Sequence, residues 1–195
     1  MVDAIKHCLS NLTNFHGRDA RSTFWWFVLF LVILQVVIGI ASSIPMMVSA
    51  VGGAMEGVQS GMTPEEMQLA MMDQMAGGMR TQVWISLVMS FVMAALFIAA
   101  LARRLQDIGK PGWLAILIVL PFLASAIHAV VIFDDIMELM REAMSSGSPE
   151  ALDAIQTEAM GANWYGYLSY LAVIVAGIIP SDDGPNAYGE QPLGH

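Results

Sequence analysis

From Phe24 to Val48 the chain carries no charged side chain, and the most polar member of that run is Gln35. A helix rises about 1.5 Å per residue, so roughly 20 apolar residues cross the hydrocarbon core of a bilayer. Backbone amides find no water there and must bond within a helix. Three further runs repeat the pattern. Val83 to Ala102 has Ser86 and Ser90 as its polar members, and Trp113 to Phe133 contains Pro121, Ser125 and His128. Trp164 to Pro180 is the shortest and spans only ~25 Å as a helix, so it is expected to borrow flanking residues or to thin the bilayer locally. Trp25, Trp26, Trp84, Trp113, Trp164 and Tyr165 stand at the run starts, at the depth where aromatic side chains meet headgroups. Composition agrees: 13% of residues are charged, against about 25% in soluble domains.

Basic residues orient the runs. Lys6, Arg18, Arg21, Arg103, Arg104 and Lys110 fall on one side, and only Arg80 and Arg141 on the other. The six-to-two asymmetry puts the first side in the cytoplasm. The expected architecture is an all-α integral membrane protein with four transmembrane helices and both termini inside. It forms one membrane domain over 1–195: an N-terminal segment 1–23, spans 24–48, 83–102, 113–133 and 164–180, outer loops 49–82 and 134–163, an inner loop 103–112 and a tail 181–195. The outer loops carry eleven acids against two bases, so the net charge of -9 lies wholly outside. An acidic chain of this kind is not a nucleic-acid binder. The first apolar run starts only after a long polar stretch, so no cleavable signal peptide is expected. The single cysteine, Cys8, can form no internal disulfide and lies on the side where disulfides are rare.

Each outer loop is expected to hold a short amphipathic helix. Thr63-Pro64-Glu65-Glu66 has the form of a capping box with proline at the first helical position. Ser148-Pro149-Glu150 opens a second helix similarly, without the reciprocal glutamate. The two hairpins thus share a plan that suggests a parallel internal repeat. Met67, Met71, Met75 and Met79 recur at spacing four in the first outer helix. Thioethers select Cu(I), but no His or Cys accompanies the stripe, and adaptable packing is the preferred reading. No metal or other cofactor is expected.

Three cytoplasmic motifs remain. Phe15-His16-Gly17-Arg18-x-x-Arg21-x-x-Phe24-Trp25 enters the first span, and Ala102-Arg103-Arg104-Leu105-Gln106-Asp107-Ile108-Gly109-Lys110-Pro111-Gly112-Trp113 joins the second to the third. Gly184-x-Asn186-x-Tyr188-Gly189-x-x-Pro192 lies near the end. Together, and in this order, they resemble the bacterial inner-membrane family called domain of unknown function 805. The resemblance covers both ends and the central hairpin but not the outer loops, which are usually smaller in that family. Gln106 stands where the family often has His, and Leu114 where a second Trp is common. The resemblance implies a multi-pass protein of the bacterial inner membrane and no particular activity.

Read from the residues alone, Arg103 and Asp107 are four apart and share a helix face, as do Arg18 and Arg21 at three apart. Arg103 is therefore expected to pair with Asp107, leaving Arg104 freer to face anionic headgroups. The topology gathers Arg18, Arg21, Arg103, Arg104 and Lys110 beside Asp107, Asn186 and Tyr188. That cluster serves as a topology signal and loop lock, or as an anion site for lipid headgroups or a phosphate-bearing ligand. Within the membrane, His128 is the only ionisable side chain, and such residues are functional candidates. Ser86, Ser90, Ala94, Ala172 and Ala176 offer small packing faces. No nucleophile–base pair, thiolate cluster or phosphate-cradling loop is present, so an enzyme is the weakest class. The preferred expectation is a small membrane scaffold that meets membrane lipids, a membrane-protein partner or its own copies. The alternative is a homo-oligomeric transporter of ions or small solutes, using Gln35 or His128.

Overall fold

The computed structural model describes residues 1–146 and 149–192. Six helices account for most of them: α1 (Val2–Ser10), α2 (Arg21–Gln59), α3 (Pro64–Asp107), α4 (Leu114–Val131), α5 (Phe133–Ser146) and α6 (Pro149–Ile178). There is no strand among the described residues; the tail makes one isolated antiparallel bridge, between Asn186 and Gly189. Three stretches are long and apolar enough to cross a membrane, in Arg21–Gln59, Glu65–Asp107 and Leu114–Val131, and a shorter apolar one occupies Trp164–Ile178. Their outer surfaces are fatty: Val32, Ile33, Val36, Val37 and Ile40 are each more than half exposed. A contiguous apolar surface of that kind marks a membrane or a partner interface on a folded protein; on helices of this length it is a lipid-facing belt.

The outer region differs from the expectation of a separate short helix in each loop. The Thr63 capping box forms, with Thr63 N donating to Glu66 Oε2 at 2.8 Å and Glu66 N to Thr63 Oγ1 at 3.3 Å. The bonds that its carboxylate accepts from the Thr63 N–H and, at 2.9 Å, the Thr63 hydroxyl hold the Glu66 carboxyl below its usual range. The helix they open is α3 itself, which runs unbroken into the second span. Gly77 and Gly78 do not stop it. Each glycine costs a helix only about 1 kcal/mol, and Gly78 lets α2 come close: a Cβ there would stand 2.9 Å from Met46 Cγ. Gly53 and Gly57 of α2 answer from the other side, under Gln74 and Met67. Met67, the first residue of the methionine stripe, thus packs against α2.

The second outer loop is built otherwise. α5 is a helix of its own, and α6 begins at Pro149 and continues into the fourth apolar stretch. Ser148, the expected cap, lies outside the described residues. The two hairpins share a Pro-Glu start to the inward helix but not the helix before it. The lone outer bases bridge the hairpins: Arg80 of α3 pairs with Asp134 of α5, and Arg141 of α5 lies 3.4 Å from Asp73 of α3.

α2 packs on α3, α3 on α4, and α4 on α6, with α5 against α6. The tightest packing is at the inner end. Phe24, Leu101, Ala102, Leu105, Ala115 and Ala176 form one buried cluster. Cys8, Phe27, Leu31, Met93 and Ala100 form a second, which seats α1. α2 meets α6 where Trp25 Nε1 donates to Gly177 O at 3.0 Å.

Candidate functional site

The last turn of α3 presents Arg103, Arg104 and Asp107 to three different segments. Asp107 is 0% exposed. One of its carboxylate oxygens accepts from Arg18 Nε at 3.0 Å, and the other accepts from Arg104 Nη1 and the Ser181 hydroxyl. Arg104 is likewise 0% exposed. It caps the end of α6, donating from Nε to Ala176 O at 3.1 Å and from Nη2 to Ile179 O. A helix leaves its last carbonyls without intrahelical partners, and a buried guanidinium with five donors fits that need.

Arg18 closes the other side. Its Nη1 donates to Gly184 O at 2.6 Å and to Gly189 O at 3.3 Å, and its Nη2 to Asp182 O at 2.7 Å. One side chain of the N-terminal segment therefore binds both α3 and the tail. The tail is folded to meet it: Gly184 has φ 72°, a conformation that favours glycine. Asn186 Nδ2 donates to Gln106 O at 3.0 Å, while Asn186 Oδ1 accepts from Tyr188 N at 2.8 Å. α3 ends in a Schellman turn, with Lys110 N bonding Leu105 O at 2.8 Å and Gly109 N bonding Gln106 O at 3.2 Å. Gly109 takes the left-handed position that such a turn requires, at φ 69°. A side chain there would collide with Asp182, since its Cβ would stand 2.6 Å from Oδ2.

Arg103 does not pair with Asp107. It reaches back to Asp19, Nε to Oδ2 at 2.9 Å, and its Nη1 donates to Asn11 O and Asn14 O at 2.7 and 2.6 Å. Asp19 also accepts from His7 at 3.0 Å and sits 4.0 Å from the Cys8 thiol. Burial, reinforced by the Asp19 carboxylate, pushes the Cys8 thiol up to about 11, so it is a protonated packing group and not a nucleophile. Gln106 holds the N-terminal segment as well, its Nε2 donating to Phe15 O at 2.9 Å.

The structure thus brings together Arg18, Arg103, Arg104, Asp107 and Asn186, and reverses the expected division between the two tandem arginines. Arg104 is the partner of Asp107 and is enclosed, and Arg103 serves Asp19. Arg21 and Lys110 are exposed and without an ion pair among the described residues, although the charge of Arg21 lies near enough to repel that of Arg104. Tyr188 takes part through its backbone. Away from the clasp, Gln35 lines an intramembrane cavity. His128 lies near the outer end of α4 with its ring centroid 6.1 Å from that of Tyr165. Sequence reasoning missed Asp19, Ser181 and the carbonyls of the tail. Asp19 was the one signal available, a lone acid between Arg18 and Arg21. Among the described residues no three His, Cys, Asp or Glu side chains group as a metal site.

All three motifs that carried the family resemblance meet in this clasp. No curated protein and no solved structure matches the chain. The family model described as protein of unknown function (DUF805) matches residues 12–190, a span that begins just before Asn14, whose carbonyl Arg103 binds, and ends just past the Gly189 carbonyl that Arg18 binds. The chain belongs to that family.

Proposed function

We propose that the chain is a four-span scaffold of a bacterial inner membrane, with both termini in the cytoplasm, whose inner face engages anionic lipid headgroups. The observation that carries this reading is the division of labour among the cytoplasmic cations. Arg18, Arg103 and Arg104 are buried and donate to protein acceptors, which fits a structural clasp; only Arg103 Nη2, also buried, makes no hydrogen bond among the described residues. Arg21 and Lys110 are exposed. Each lies close in sequence to a tryptophan with an exposed ring, Trp26 and Trp113, the pairing of positive charge and aromatic belt found at headgroup depth. The fourth span is α6 from Trp164 to Ile178, short in apolar length but continuous with a helix that extends outward to Pro149.

Retention of phosphatidylglycerol over phosphatidylcholine, measured by native mass spectrometry from mixed vesicles, tests the reading. Wild-type protein should keep phosphatidylglycerol, and Arg21→Gln with Lys110→Gln should lose most of that preference without loss of thermal stability. Equal retention by both proteins would remove the lipid role. Transport is the weaker reading. The intramembrane cavity reaches Gln35 but is walled mainly by apolar side chains, and His128 is not part of its lining.

A further inference from the structure

Between α2, α3, α4 and α6 lies a cavity of about 660 Å³, inside the ~300–1,000 Å³ range of small-molecule sites. Leu31, Met93, Val119 and Val173 contribute to a mostly apolar wall, and no charged side chain lines it among the described residues. Several of its polar side chains, among them those of Ser86 and Ser125, make no hydrogen bond among the described residues, and Ser169 and Gln35 stand out. Ser169 is 5% exposed, yet its hydroxyl bonds to nothing among the described residues. Three serines of the apolar helices return their hydroxyls to their own backbone, Ser42 to Gly39 O, Ser43 to Ile40 O and Ser90 to Ser86 O, whereas Ser86 and Ser125, which line the same cavity, do not. That back-bond is the usual way for a helical serine to satisfy itself, and Ser169 does not make it. Gln35 lines the same cavity and its amide is also without a hydrogen bond among the described residues. By contrast, Gln82, farther out, donates to Ser42 Oγ at 3.0 Å.

An unbonded hydroxyl and amide are costly in hydrocarbon, where no water offers a substitute. Gln35 stands ten residues beyond Trp25, about 15 Å along the helix and hence deep in the bilayer. Charged headgroups do not descend to that depth, and nothing in the wall would neutralise one. We infer that the cavity binds a neutral membrane amphiphile carrying a carbonyl group, whose oxygen accepts from Ser169 and Gln35 while its long apolar chain fills the rest of the space. Two classes share this chemistry: the ester of an acyl chain and the ring of a chain-bearing quinone. The inference is independent of the headgroup contacts proposed above, which involve anionic groups at the membrane surface.

The test uses the full chain in detergent, with ethyl oleate, decylubiquinone and 1-octadecene as probes and native mass spectrometry as the readout. One carbonyl probe should be retained about tenfold better than octadecene, and which of the two prevails identifies the class. Ser169→Ala combined with Gln35→Leu should abolish that preference while octadecene retention stays the same. Ser169→Ala alone, which removes a single oxygen, should reduce it several-fold and serves if the double variant does not fold. Equal retention of all three probes, retention of none, or an undiminished preference in Ser169→Ala would each overturn the inference.

Discussion

Asp107 accepts from Arg18 through one carboxylate oxygen and from Arg104 and Ser181 through the other, with no exposed surface of its own. Removing one partner of a buried ion pair leaves an uncompensated charge, at a cost of about 3–5 kcal/mol. Asp107→Asn and Arg104→Gln are therefore both expected to destabilise the protein by that order, seen as a large drop in thermal midpoint in detergent. Arg21→Gln should change it by less than ~0.5 kcal/mol, as exposed sites do. The sequence reading expected Arg104→Gln to be tolerated, because spacing four favours Arg103 as the partner of Asp107. Spacing three is nearly as close on a helix, so the choice falls to tertiary acceptors. Asp19 draws Arg103 one way, and the carbonyls of Ala176 and Ile179 draw Arg104 the other. Neither attraction can be seen without the fold. The Cys8 thiol offers a second check at this scale. Its pKa in the folded protein is raised from 9.0 to about 11, so the stability it lends is complete below the ordinary value and is lost as pH climbs through the raised one. Iodoacetamide at pH 8.5 should leave Cys8 unmodified in the folded protein and alkylate it once the protein is denatured, with mass spectrometry as the readout.

Gly177 decides how two helices meet. A Cβ there would stand 2.5 Å from the Trp25 ring and 3.1 Å from Phe24, so Gly177→Ala must push α2 from α6 and lengthen the bond from Trp25 to Gly177 O. Overpacking of this kind costs ~1–3 kcal/mol, and the thermal midpoint in detergent should fall accordingly. Helix existence was legible because apolar runs and cap chemistry are local: the Thr63 box forms, and all four runs are helical apart from terminal residues of the third and fourth. Helix extent was not. A short outer helix separate from the second span is the expectation from sequence, but α3 runs through both, with Gly77 and Gly78 inside it and Met46 close over Gly78. The clasp was half legible for the same reason. Its three motifs were found by residue type and order, whereas backbone carbonyls, which accept most of its hydrogen bonds, leave no mark in a sequence.

The N-terminal segment and the tail are both tied to the end of α3, on the side that we propose to be cytoplasmic. In a Cys8→Ser background, a cysteine at Ser60 should react with an impermeant thiol reagent in intact cells and one at Ala187 should not; both positions are exposed, so access alone decides. Reaction at Ala187 would mean that α6 does not return to the inside. The clasp itself is the central claim, and it is tested most directly by a double-mutant cycle between Arg18 and Asp107, which are 89 positions apart in sequence. Contacting charges couple by roughly 0.5–3 kcal/mol, whereas distant independent sites add within about 0.5 kcal/mol. Arg18→Gln, Asp107→Asn and the double variant, unfolded by heat in the same detergent, should give a coupling of at least ~1.5 kcal/mol. Strict additivity of the two single losses would contradict the clasp.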